Sequence, residues 1–198
     1  MSELHPWVRL RDKPVQCYIV AIILFLVLGS SRASGQGIQP GFALGVAVPS
    51  SGDYGRRHRA GPLAQLSVLF GDSDRRVRLR LEGEGAWFSG RAAPNPPFSA
   101  DGDMRILSAF ADLIMGPRMT GPRPYFLFGA GPQWITVPGV PNPYGGVPGV
   151  RAGVGLEGKV RGLTLRGEVS ANAVLSDFAT GRSFTPGTYW PITLAIQF

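Results

Sequence analysis

Two stretches of the chain place ionisable side chains at every second position. Between residues 77 and 87 the polar parity carries Arg78, Arg80, Glu82 and Glu84; between 163 and 173 it carries Thr164, Arg166, Glu168, Ser170 and Asn172. Arg151 and Glu157 keep one parity within 148–158, and Gln65 and Gln133 occupy the polar parity of their own segments. Four arginines thus face four carboxylates. A planar guanidinium and a carboxylate pair through two parallel hydrogen bonds, so this pattern points to ion pairing across strands. It lacks the nucleophile and base that covalent chemistry needs.

Other reactive groups are few. His58 lies in Arg56-Arg57-His58-Arg59, where flanking cations disfavour an imidazolium and no adjacent carboxylate orients the ring. We read it as part of a solvated loop and expect no catalytic residue. Arg56, Arg57 and Arg59 are suited to lipopolysaccharide phosphates, which guanidinium groups grip bidentately. Gly153-Val154-Gly155-Leu156-Glu157-Gly158 fits the dinucleotide fingerprint, but a turn and a strand follow it where a helix N-terminus must receive the pyrophosphate. Gly71-Asp72-Ser73-Asp74 and Asp101-Gly102-Asp103 hold too few oxygens for a calcium loop, and turn chemistry accounts for both. No cofactor or metal is expected. The single cysteine, Cys17, excludes a disulfide framework.

The elements that must carry these residues are strands. Of 198 residues, 28 are glycine and 18 proline, spread along the chain, which argues against a helical bundle. Charged residues are only 17%. The one long apolar run, Ile19-Val20-Ala21-Ile22-Ile23-Leu24-Phe25-Leu26, follows Arg9, Arg11 and Lys13 and precedes small residues at Ser31 and Ala33. It is shorter than the ~20 residues of a spanning helix. Residues 1–33 therefore read as a cleaved signal peptide and 34–198 as one secreted domain. That domain keeps 16 of the 20 basic and 11 of the 13 acidic residues, a net charge of +5. Secretion, with no basic helical stripe, argues against nucleic acid and favours an anionic lipid surface as partner.

Apolar alternation predicts eight strands near 41–48, 62–70, 76–87, 103–114, 124–135, 148–158, 163–175 and 188–198. The intervening gaps are 13, 5, 15, 9, 12, 4 and 12 residues, long and short in turn. Up-and-down barrels in membranes alternate long loops and short turns in this way. Trp87, Trp134 and Trp190 fall at the long-loop ends of their strands, and Phe70, Phe126 and Phe198 at the short-turn ends, all on the apolar parity. Such placement forms two aromatic girdles. An open sheet edge in hydrocarbon leaves backbone groups unpaired, which closure into a barrel avoids. Strand 103–114 is the least regular: Asp112 and Ser108 would point inward and Arg105 outward near its loop end.

Eight amphipathic strands, alternating loop lengths, a signal peptide and the ending Trp190, Ile192, Leu194, Ile196, Phe198 resemble the small OmpA/OmpX-type outer-membrane barrels. The resemblance covers nearly all of 37–198. It implies an all-β, eight-stranded antiparallel barrel in the cell outer membrane with both termini periplasmic. It also implies a C-terminal assembly signal (Trp190, Ile192, Leu194, Ile196, Phe198) presented to the outer-membrane insertion machinery. Its lumen would be plugged by Arg78, Arg80, Glu82, Glu84, Arg151, Glu157, Arg166 and Glu168. The expected function is a non-enzymatic barrel that displays four long loops. The alternatives are a small gated channel, a lipid-modifying enzyme, or a soluble lipocalin-like barrel with the two faces exchanged. The histidine–serine pair of lipid-A deacylases is not present.

Overall fold

A computed structural model describes residues 37–71, 75–91, 103–136, 144–175 and 187–198. The signal-peptide reading of 1–33 with Cys17, and the loop segments around Asp72, Pro94–Pro97, Asp101 and Pro138–Pro143, lie outside the described residues. Eight strands follow in order: β1 (Ile38–Pro49), β2 (Gly61–Phe70), β3 (Val77–Phe88), β4 (Met104–Met115), β5 (Arg123–Thr136), β6 (Tyr144–Val160), β7 (Leu163–Val174) and β8 (Thr188–Gln197). A single short helix, α1 (Gly52–Arg57), stands between β1 and β2 among the described residues. Every strand pairs antiparallel with its neighbours in sequence, and β8 closes on β1 through Leu44↔Leu194 and Val46↔Ile192. The fold is the closed eight-stranded antiparallel barrel expected from the sequence.

Closure follows from the alternation itself. Along β3 the side chains of Arg78, Arg80, Glu82, Glu84, Ala86 and Phe88 are buried, while those of Val77, Leu79, Leu81 and Trp87 are exposed. β8 repeats this with Ile192, Leu194, Ile196 and Phe198 outward and Thr193, Ala195 and Gln197 inward. Because side chains change face at every residue, a slip of one position would turn the arginines outward. Ladder partners keep one parity in the β1–β2, β2–β3, β3–β4, β6–β7 and β7–β8 pairings, so the register there is fixed by the pattern.

The hairpin β6–β7 turns in two residues, Arg161 (φ 50) and Gly162 (φ 86). Positive φ at both positions is the type I′ geometry, whose twist matches that of paired strands. On the opposite end the connection 136–147 is shorter than expected. β6 begins at Tyr144, and the register shifts between Gln133 and Ile135 to bring Ile135 opposite Tyr144. Residues 144–147 read as a loop in sequence, ahead of a strand that starts at 148; the irregular ladder absorbs them into β6. The loop that remains, 137–143, is then no longer than the 116–122 connection on the other side, so the strict alternation of loop lengths does not hold there.

Candidate functional site

The lumen is built in layers. At the long-loop end Ala47, Leu63, Ala86, Phe88, Met104, Ile106, Ile135 and Tyr189 form an apolar plug. α1 covers it with Tyr54, which is fully buried with its ring 6.3 Å from that of Tyr189; the Phe88 ring meets Tyr189 edge-on at 5.7 Å. The loop is tied down by Ser50 and Ser51, whose hydroxyls bond the Thr188 hydroxyl at 2.7 and 2.8 Å. Near the short turns Leu69, Ile114, Tyr125 and Leu127 make a second apolar cluster. Strand β4 looked irregular in sequence for this reason: its inward residues Met104, Ile106 and Ile114 serve the apolar layers, while Ser108, Phe110 and Asp112 lie in the polar one.

Between the apolar layers lies an ionic network. Arg80 grips Glu168 with both terminal nitrogens (2.8 and 3.1 Å) and donates through Nε to Asp112 at 2.8 Å, with Glu82 at 3.2 Å. Arg151 donates to both Asp112 oxygens and to Glu82, and its guanidinium lies 4.4 Å from the centre of the Phe110 ring. Glu84 accepts from Tyr189 (2.6 Å), Gln65 (2.8 Å) and Asn172 (3.1 Å). Tyr125 donates to Glu168 at 2.8 Å. Nearer the short turns Arg78 bonds Glu157 at 2.7 Å, and Arg166 stands 3.7 Å from Glu168. All eight charged residues named from the sequence point inward and are buried, as are Gln65, Gln133, Thr164, Ser170 and Asn172.

Two charged members were not in the sequence-derived set. Asp112 was placed inward but not among the ion pairs, yet it joins Arg80 to Arg151. Arg123 was assigned to a turn, yet it is buried, donates to the carbonyls of Arg75 and Gly116, and lies 3.7 Å from Glu157. With them, five arginines balance five carboxylates among the described lumen residues. Tyr125 and Tyr189, counted with neither girdle, supply phenol donors. The signal for all of these was inward parity.

Inward glycines make room for the large side chains. Gly155 pairs with Tyr125 and Gly129 with Asp112. A Cβ on Gly155 would overlap the Tyr125 ring, and one on Gly129 would overlap the Asp112 carboxylate. We expect Gly155→Ala to cost about 1–3 kcal/mol through overpacking, and Tyr125→Ala in the same chain to remove most of that added cost. Denaturant midpoints of the four chains measure the coupling; additive effects would contradict this packing.

The remaining sequence-derived positions divide as follows. Trp87, Trp134 and Trp190 are exposed on the outer wall at the long-loop end, and the Trp190 indole N–H donates to Ser50 at 3.0 Å. Phe126 and Phe198 are exposed at the other end, where Phe70 is half-buried on the same parity. Arg56 and Arg59 are exposed and Arg57 is half-buried. His58 departs from the expected solvated loop. It is fully buried and bridges to Gly90, because α1 folds back onto the barrel rim and the chain then extends the β2–β3 pairing. Among the described residues no group of three or more His, Cys, Asp or Glu side chains is arranged to hold a metal ion.

No protein-family model matches the sequence, and no curated protein matches it. Solved structures do. Neisserial surface protein A superposes with a TM-score of 0.56 at 14% identity, over 81% of this chain and 94% of that one. The fold is that of the small outer-membrane barrels. The N-terminal barrel domain of Pseudomonas aeruginosa OprF gives a TM-score of 0.50 at 16% identity, over 82% and 97% of the two chains. The outer membrane enzyme PagL is a weaker match, with a TM-score of 0.47 at 13% identity over 81% and 98%.

Proposed function

We infer that the protein is an integral outer-membrane barrel without enzymatic activity, a sealed cylinder that holds its long loops at the cell surface with both termini on the periplasmic side. The observation that carries this reading is the exchange of faces. Charged residues fill the interior, and the wall between the tryptophans and phenylalanines is apolar: Leu79, Leu81, Leu165, Ile192 and Leu194 are all exposed. Water would penalise that surface, whereas acyl chains solvate it. Ile38 and Phe198 lie at the short-turn end, where the Phe198 N–H donates to Pro40 at 3.0 Å. The non-enzymatic reading is supported by His58, which ends α1 and is fully buried, with no exposed face to offer a lipid.

The experiment is fractionation of the expressed full chain, followed by electrophoresis with and without boiling. Recovery in the outer membrane with heat-shifted mobility is expected; a water-soluble monomer would sink the reading. The layered lumen also favours a plug over a channel. In planar bilayers the barrel should give no steady conductance, and substitution of Arg80 or Glu82 should not confer an ion selectivity. A phosphate- or acyl-releasing activity on lipopolysaccharide that is lost in His58→Ala would overturn the non-enzymatic reading.

A further inference from the structure

Arg105 on β4 stands on the outward parity, opposite Trp87 on β3 and Thr136 on β5, at the height of the tryptophans. A cleft of about 240 Å³ opens beside it, lined by Ala60, Pro62, Trp87, Ser89, Asp103 and Arg105. Two more arginines border this rim. The Arg59 N–H donates to Ser89 O at 2.9 Å and the Arg91 N–H to Arg57 O at 2.7 Å, which prolongs the β2–β3 pairing past the strand ends. Arg59, Arg91 and Arg105 are all exposed, and Asp103 is the described carboxylate among them.

Below this rim, on the same strands, the wall recedes. Gly83, Ala109, Ala111 and Ala130 floor an open apolar depression of about 470 Å³ edged by Leu66 and Leu81. A Cβ on Gly83 would meet nothing within 4 Å. Ala109 is four residues along β4 from Arg105, ~13 Å at the usual strand rise, which is within the length of a fatty acyl chain. On the far side of the barrel a larger apolar depression of about 600 Å³ lies between Phe42, Leu44, Leu156, Leu165, Leu194 and Ile196, toward the short-turn end and away from these arginines. Cationic groups at the level of the indoles, with a recess for hydrocarbon underneath, fit one amphiphile rather than two separate ligands.

We propose that this flank is a binding site for one lipopolysaccharide molecule, with lipid A phosphates on Arg105, Arg59 and Arg91 and an acyl chain in the depression. The proposal rests on the outer-membrane reading and names a ligand for it. Guanidinium forks match phosphate oxygens bidentately. Three arginines against one carboxylate complement the two phosphates of lipid A better than the single phosphate of a phospholipid.

The test is native mass spectrometry of the full chain refolded in zwitterionic detergent, titrated with bisphosphorylated lipid A and, separately, with phosphatidylglycerol. Lipid A should bind at least tenfold more tightly. Arg105→Gln and Ala109→Leu should each weaken it by tenfold or more, whereas Val169→Ala on the far wall should leave it unchanged. Heat-shifted mobility establishes that each variant is folded; Arg91→Gln, at the exposed rim, replaces Arg105→Gln if the latter does not fold. Equal binding of phosphatidylglycerol, or unchanged lipid A binding in the two flank variants, overturns the proposal. Fractionation reports separately on the outer-membrane reading, so a barrel that reaches the membrane but ignores lipid A fails this inference alone.

Discussion

Asp112→Asn is expected to destabilise the folded barrel by about 3–5 kcal/mol, the cost of breaking one partner out of a buried ion pair. The substitution keeps the shape of the side chain and removes one charge. Asp112 accepts from Arg80 Nε at 2.8 Å and from Arg151 through both of its oxygens. Without it the described lumen holds five arginines against four carboxylates, and in a sealed lumen no water replaces the lost solvation. Removing the arginine as well should recover much of the loss. In Asp112→Leu/Arg151→Met the charges balance again: Arg80 retains Glu168 and Glu82, and Glu84 retains Tyr189, Gln65 and Asn172. Pairs replaced by apolar groups of similar volume are often near neutral, so the double variant should lie well above the sum of the single effects. Guanidinium midpoints of barrels folded in phospholipid vesicles measure Asp112→Asn, the single variants Asp112→Leu and Arg151→Met, and the double variant against the parent. A cost below about 1 kcal/mol for Asp112→Asn would mean that water solvates the network, and the sealed-lumen reading would give way to a hydrated pore.

The parity of the strands was legible because a barrel enforces it at every position. Arg78, Arg80, Glu82 and Glu84 are separated by outward residues, and no local preference competes with that order. The identity of the partners was not legible. Arg80 reaches Glu168, 88 residues away, and alternation says which side of the wall a residue is on but not its height in the cylinder. Height depends on how far each strand is displaced against the next. That is also why Asp112, in a strand whose inward side is otherwise mostly apolar, did not stand out as the residue that joins two arginines. His58 was misread for a different reason. Its neighbours in sequence are arginines, which favour solvent, but α1 is anchored by Tyr54 and by the hydroxyls of Ser50 and Ser51 at Thr188, and those contacts are made with residues more than 130 positions away. The loop 136–147 was overestimated because Gly145 and Gly146 carry turn chemistry that a bulged strand end tolerates.

The exchange of faces makes a prediction of its own, and its sign separates a membrane barrel from a soluble one. Leu194→Arg should cost about 2–4 kcal/mol, the penalty for arginine at the mid-depth of a lipid-facing strand. Leu194 is the most exposed large apolar residue described, at 76%, and stands midway between Trp190 and Phe198, flanked by Leu44 and Gly167 in the ladder. With Gly167 beside it, no side chain shields that position from the β7 flank. The same change at Val48, level with Trp190 in the β1–β8 pairing, should cost only about 0–1 kcal/mol, because an arginine there reaches the headgroup layer. In water the order would differ. An exposed leucine replaced by arginine on a solvated surface changes stability by about 0.5 kcal/mol or less, with no dependence on height along the strand. Unfolding of both variants in phosphatidylcholine vesicles distinguishes the cases. Equal, small effects at the two positions would place this wall against water, and the indole and phenyl rings at its ends would then be ordinary strand aromatics rather than markers of two interfaces.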